Sequence, residues 1–154
     1  MGRPTRVYSL TDAADELFPK KYGVLTLEVL DFMQNASEEL LENFFAARGQ
    51  NFVAKYGPDV KQGETLEDRV ARLADIQGAN GYLSGWDRAE DGTLILKEYN
   101  CPVHQVSRKY PQACHHELEF FKAVLGTEQI ERVECIAKGG SCCRYVIGAA
   151  DSQS

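Results

Sequence analysis

The order of hydrophobic periods along this chain predicts an α+β fold, with helices packed on an antiparallel sheet made of two β-hairpins. Three observations carry that reading. Apolar residues recur at helical spacing from residue 21 to residue 77. The pattern then changes to period two on both sides of Asp91-Gly92, a dipeptide that supplies the positive φ of a tight hairpin. After a second helical stretch, period two returns around Lys138-Gly139-Gly140-Ser141.

The opening run Gly2 to Leu10 alternates polar and apolar residues and reads as a strand. Thr11-Asp12 offers an N-cap for a short helix ending near Phe18-Pro19. Two amphipathic helices follow over residues 21 to 56. Val24, Leu25, Leu27, Val29, Leu30 and Met33 mark the first, and Leu40, Leu41, Phe44, Phe45, Phe52 and Val53 the second. They break at Asn35-Ala36-Ser37, where Ser37 is the cap. Such an aromatic stripe has to be buried in a core or a dimer seam, with a ligand pocket as the alternative. Gly57-Pro58 is expected to stop the second helix, and Thr65 to cap a third that runs to about Gln77. Tyr82 to Trp86 and Leu94 to Tyr99 form the first hairpin. Short helices over Pro102 to Lys109 and Ala113 to Leu125 come next, the latter closed by Gly126. Ile130 to Ala137 and Cys142 to Ile147 form the second hairpin.

A chain of 154 residues is long enough for one domain that buries roughly 70% of its unfolded surface, without disulfides. Five cysteines, an odd number, with no signal peptide and no run of about 18 apolar residues, point to a soluble cytoplasmic protein with no membrane partner. A net charge of -6 and no basic cluster longer than Lys20-Lys21 argue against strong nucleic-acid binding by this chain itself. No Ser-His-Asp order, phosphate-cradling glycine loop or paired-acid motif stands out, so the reading is not an enzyme. Cys101 with His104 is the one pair that could make an activated thiol.

All five cysteines, at 101, 114, 135, 142 and 143, fall in the last third of the chain. They are interleaved with the three histidines, 104, 115 and 116. Core cysteines acting as small hydrophobes have no reason to gather so, whereas a thiolate-built site does. Cys101, Cys114 and Cys143 fall at strand and helix junctions that can meet at one end of the sheet, where helix N-termini would lower thiol pKa values. No Cys-x-x-Cys pair exists, which weakens a zinc-finger reading. Cys135 is as readily a packed core residue as a ligand, and adjacent Cys142 and Cys143 should point to opposite faces. His104 lies one turn beyond Cys101, while His115 and His116 read as exposed helix residues and Arg108-Lys109 as a solvated helix end.

These residues carry resemblances. Gly2 to Pro19, with a Gly-Arg-Pro turn leading into Arg-x-Tyr-x-Leu-Thr, resembles the last wing strand and following helix of the winged helix-turn-helix in ArsR/DeoR-like bacterial regulators. The blocks Tyr99-Asn100-Cys101-Pro102, Tyr110-Pro111 with Cys114, Glu134-Cys135, and Cys142-Cys143-Arg144-Tyr145 resemble the sensor half of the SufR family of iron–sulfur-responsive repressors. That family's pattern, Cys-x12-Cys-x13-Cys-x14-Cys, is matched at Cys101, Cys114 and Cys143, but its third position falls on Glu128. The resemblance implies an iron–sulfur cluster, with zinc as the alternative metal, held by Cys101, Cys114, Cys143 and a fourth ligand. Cys135 is the choice for that fourth position, with Cys142, a histidine or Glu128 left open. It also implies a homodimer that meets DNA only through a winged helix largely absent from this chain. The expected organisation is a winged-helix remnant over 1–19, a sensor and dimerisation domain over 20–150, and a disordered tail over 151–154. The C-terminal block is also similar to the end of 4-vinyl reductase domains, which implies an apolar pocket for a small hydrophobic molecule or tetrapyrrole, with cysteines at its mouth.

Overall fold

A computed structural model describes residues 7–9, 11 and 19–148. Most of the strand and helix expected before residue 20, and the tail 151–154, lie outside the described residues. Val7, Tyr8 and Ser9 are exposed and belong to no regular element.

Helix α1 spans Tyr22–Ala36 and α2 spans Glu38–Val60. Ser37 separates them in an extended conformation, and its side chain accepts from the Leu40 amide, so the break comes where the capping residue stands. Helix α2 runs past the expected stop, with Pro58 inside its last turn. Pro58 faces solvent and forfeits one bond near the helix end, while the next turn seats Val60 in the core at no exposure. Helix α3, Leu66–Ala79, starts with a full capping box in which Thr65 and Asp68 satisfy each other's backbone amides.

Strands β1 (Ser84–Arg88) and β2 (Leu94–Glu98) form the first hairpin, turned at Gly92 with φ 88°. The first strand begins two residues later than expected because Leu83 sits at φ 50°, which breaks the extended run. Helices α4 (His104–Lys109) and α5 (Gln112–Leu125) follow, and Gly126 ends α5 at φ 71°. Strands β3 (Ile130–Glu134) and β4 (Cys143–Ile147) complete one antiparallel sheet in the order β1-β2-β4-β3. The architecture is thus α+β, with helices on an antiparallel sheet built from two hairpins, as the sequence predicts.

Strand β3 is shorter than expected. Its pairing with β4 slips between Arg132 and Glu134, and a short 3-10 turn, Ile136–Lys138, takes the place of the remaining strand. The slip separates Val133 and Cys135, which strict alternation would put on one face: Val133 points out, whereas Cys135 is buried.

Leu94, Leu96 and Glu98 of β2 and Cys143, Tyr145 and Ile147 of β4 are the buried, helix-facing set. The main core packs this face against Val60, Val70, Leu73, Phe120, Phe121 and Val124 from three helices. A second, smaller core of Leu30, Leu41, Phe45, Tyr110 and Ala113 joins α1 to the first half of α2 and to the α4–α5 junction.

Candidate functional site

Register places Glu98, the last residue of β2, directly opposite Cys143, the first of β4. Both point inward because they continue the apolar alternation of their strands. Helix α5 adds Cys114 and Glu117 from its first turns, three residues apart and so on one face. The end of α3 adds Gln77, and the segment before β1 adds Tyr82, both buried.

A carboxylate network fills the space between. Gln77 Nε2 donates to Glu98 Oε1 at 2.8 Å, and the Tyr145 hydroxyl lies 3.4 Å from Glu98 Oε2 and 3.0 Å from Glu117 Oε2. Tyr82 also favours the charged form of Glu117. One tyrosine hydroxyl carries one proton, so it serves one of the two carboxylates at a time. Burial pushes Glu98 well above the ordinary carboxylate range, and the charge of Glu117 adds to it. Burial likewise raises Glu117, against the pull of Tyr82 and Tyr145.

The thiols surround this network. Cys101 shares a 3.6 Å hydrogen bond with Ser107 and feels the charges of Glu117 and Glu98. Cys114 feels Cys135 and Glu117. Cys143 accepts from the Ile136 amide at 3.4 Å and feels Cys135, Glu98 and Glu117. Arg132 reaches across from β3, donating to the Cys114 carbonyl at 2.9 Å. The expected lowering of thiol pKa values is reversed. Burial pushes Cys101, Cys114 and Cys143 up, Cys114 to about 12, because desolvation and nearby carboxylates outweigh any helix dipole.

Cys114, Cys135 and Cys143 pack in or against the main core, whereas Cys101 is hydrogen-bonded to Ser107 and is related to them only through the charges of Glu98 and Glu117. Among the described residues, however, no three His, Cys, Asp or Glu side chains form a group set to hold a metal ion. Sulfur is the donor type that a thiophilic metal takes, but the described side chains as arranged do not form its coordination shell.

The other candidates lie apart from this network. Cys142 turns to Glu134, donating to its carboxylate at 3.6 Å, so the adjacent pair does diverge. Glu128 is a surface carboxylate 3.5 Å from Lys122. His116 is not an exposed helix residue, because its ring is mostly covered and lies 2.6 Å from Glu42. Lys109 is paired with Asp31, which also accepts from Tyr110.

Sequence reasoning passed over Glu98, Gln77, Tyr82 and Arg132 as site residues. Two of the acids were detectable by periodicity: Glu98 is the third inward position after Leu94 and Leu96, and Glu117 lies between Cys114 and Phe121 on one helical face.

The fold and site define a helix-covered antiparallel sheet with a buried acid and thiol cluster beneath one end. No family model matches the chain, and no curated protein or solved structure matches it significantly.

Proposed function

We propose that this chain is the sensor portion of a SufR-like transcriptional regulator, in which cysteine thiolates hold an iron–sulfur cluster whose state controls DNA binding. On this reading it is not an enzyme, acts in the cytoplasm as a homodimer, and contacts DNA through a winged helix. The observation that supports it is the packing of Cys114, Cys135 and Cys143 together in or against the main core, with Cys101 on the far side of the same buried acids. Those four residues would be the ligands, and the cluster would supply redox and iron responsiveness. The chain's own part is to exclude water and to donate a hydrogen bond to the Cys143 sulfur from the Ile136 amide. Because the thiols are held protonated, loading releases protons and strengthens as pH rises.

Anaerobic reconstitution with iron and sulfide, followed by metal and acid-labile sulfide analysis, tests the reading. Visible charge-transfer absorption that disappears in the Cys114→Ser variant is the expected result. About one zinc per chain and no sulfide would instead indicate the structural-metal alternative. Neither metal nor sulfide would refute the cluster.

A second reading, a small hydrophobic molecule or tetrapyrrole site of the 4-vinyl reductase type, has one observation in its favour. An apolar surface groove of about 500 Å³ runs between α2 and α5, lined by Ala46, Gly49, Val53, Ala54, Phe120 and Ala123. No cysteine stands at its mouth, contrary to expectation. An organic ligand extracted from metal-free protein would support this reading over the first.

A further inference from the structure

Helix α1 carries two apolar faces, centred about 120° apart around its axis. One face is accounted for: Leu27, Leu30 and Met33 pack on the smaller core, and Gly23 brings the backbone so near α4 that an added Cβ would lie 2.5 Å from Gln105 Oε1. The other face carries Tyr22, Leu25, Val29 and Phe32, which are 69%, 58%, 50% and 73% exposed. Their spacing of three, four and three residues is that of a two-helix seam. A helix with two apolar faces calls for cover on both.

We propose that this second face docks the same face of a second copy of the chain, with the two α1 helices antiparallel about a two-fold axis. The inference rests on the dimeric reading above and identifies its surface, but it does not depend on the cluster.

Three features of the chain favour self-association. The four side chains together expose apolar surface on the order of 1,000 Å² for a pair of copies, about the lower bound of a specific interface. The ends of the face carry opposite charge: Lys21 precedes it, and Glu38 and Glu39, both exposed, lie just past its far end. Antiparallel pairing sets Lys21 of each copy beside the partner's acidic end and opposes the two helix dipoles favourably, whereas parallel pairing would bring like charges together. Register then places Tyr22 against the partner's Phe32 and Leu25 against the partner's Val29, so each aromatic ring meets another. Glu28, exposed beside the middle of the seam, is brought toward its own copy and limits the affinity.

Sedimentation equilibrium of the full chain tests this, with Phe32→Glu as the variant. Phe32 is exposed in the single chain, so the variant should keep its fold by circular dichroism. A dimeric parent and a variant weakened by about 30-fold or more are the expected results. Equal dimer affinities would overturn the surface while leaving a dimer. A strictly monomeric parent would overturn both surface and dimer, and iron and sulfide analysis of the same sample would still decide the cluster separately. Orientation is read from a mixture of Leu25→Cys and Val29→Cys chains treated with a short bismaleimide. Antiparallel pairing gives cross-links chiefly between the two variants, and cross-linking of each variant to itself would overturn it. A monomer whose α1 amides lose hydrogen-exchange protection on removal of residues 1–18 would assign the cover to the chain's own N-terminal segment, against the proposal.

Discussion

Glu98 is 1% exposed and completes an apolar strand face, so its ionisation is resisted by the fold itself. Its folded pKa is raised above the ordinary value of 4.5, first by burial and then by Glu117. A raised acid contributes its full stability below about 4.5, and that stability is lost as pH climbs through the folded value. Glu134 has the opposite sign. Hydrogen bonds from the Ser141 side chain and backbone hold it at about 2, so its contribution is present above 4.5 and lost as pH falls toward 2. Glu98→Gln keeps an acceptor for Gln77, frees the Tyr145 hydroxyl for Glu117 and removes one buried ionisation. Urea unfolding at a series of pH values between about 5 and 8 should show a flatter decline for the variant than for the parent, the gap widening with pH. Parallel profiles would mean that Glu98 titrates alike in the folded and unfolded chains.

The turn between β3 and β4 decides where Cys135 lies, and its two adjacent glycines do different work. Gly139 is needed for its backbone, at φ 92° with open space around the position of a Cβ. Gly140 is needed for space, since a Cβ there would lie 2.7 Å from Glu134 Cγ and 2.9 Å from the Cys135 carbonyl oxygen. Gly140→Ala should therefore cost about 1–3 kcal/mol and speed modification of Cys135 by a maleimide. Gly139→Ala should lower stability through backbone strain with less effect on that thiol. Equal reactivity of Cys135 in both variants would separate its position from the close contact at Gly140. The same turn shows where the sequence was legible. Caps at Ser37 and Thr65 and the left-handed Gly126 marked helix limits, because each satisfies or frees specific backbone groups within a few residues. A single register slip at Val133 is not written in hydrophobic alternation, and it leaves Val133 exposed while Cys135 is buried. Pro58 misled for a related reason, since the burial of Val60 outweighs a local preference to stop. The concentration of cysteines along the chain was legible, and three of them, Cys114, Cys135 and Cys143, pack in or against the main core. The inward positions of Glu98 and Glu117 were also open to periodicity, but their meeting was not, because the partners of Glu98 come from α3, α5 and β4 and meet only in the folded chain.

At the scale of the whole molecule, two cores divide the labour. The main core ties the sheet to α3, α5 and the end of α2, with Phe121 packed edge-on against Tyr145 at 4.9 Å. Helix α1 is held by the smaller core, whose central residue from that helix is Leu30. Fewer buried apolar groups hold α1, so its opening should take less free energy than unfolding of the sheet. Leu30→Ala should weaken that attachment by about 2–4 kcal/mol. By native-state hydrogen exchange, its α1 amides should lose protection while those of β2 and β4 change little. Phe121→Ala should instead reduce protection throughout, because it empties the core that defines global stability. A dilution series isolates the contribution of a second copy: docking on the outer face of α1 predicts protection there that falls as the protein is diluted, with the sheet unaffected. If Leu30→Ala instead accelerated exchange equally in α1, β2 and β4, the two cores would form one cooperative unit. Movement of α1 alone would then be no route by which an event at the thiols reaches a dimer interface.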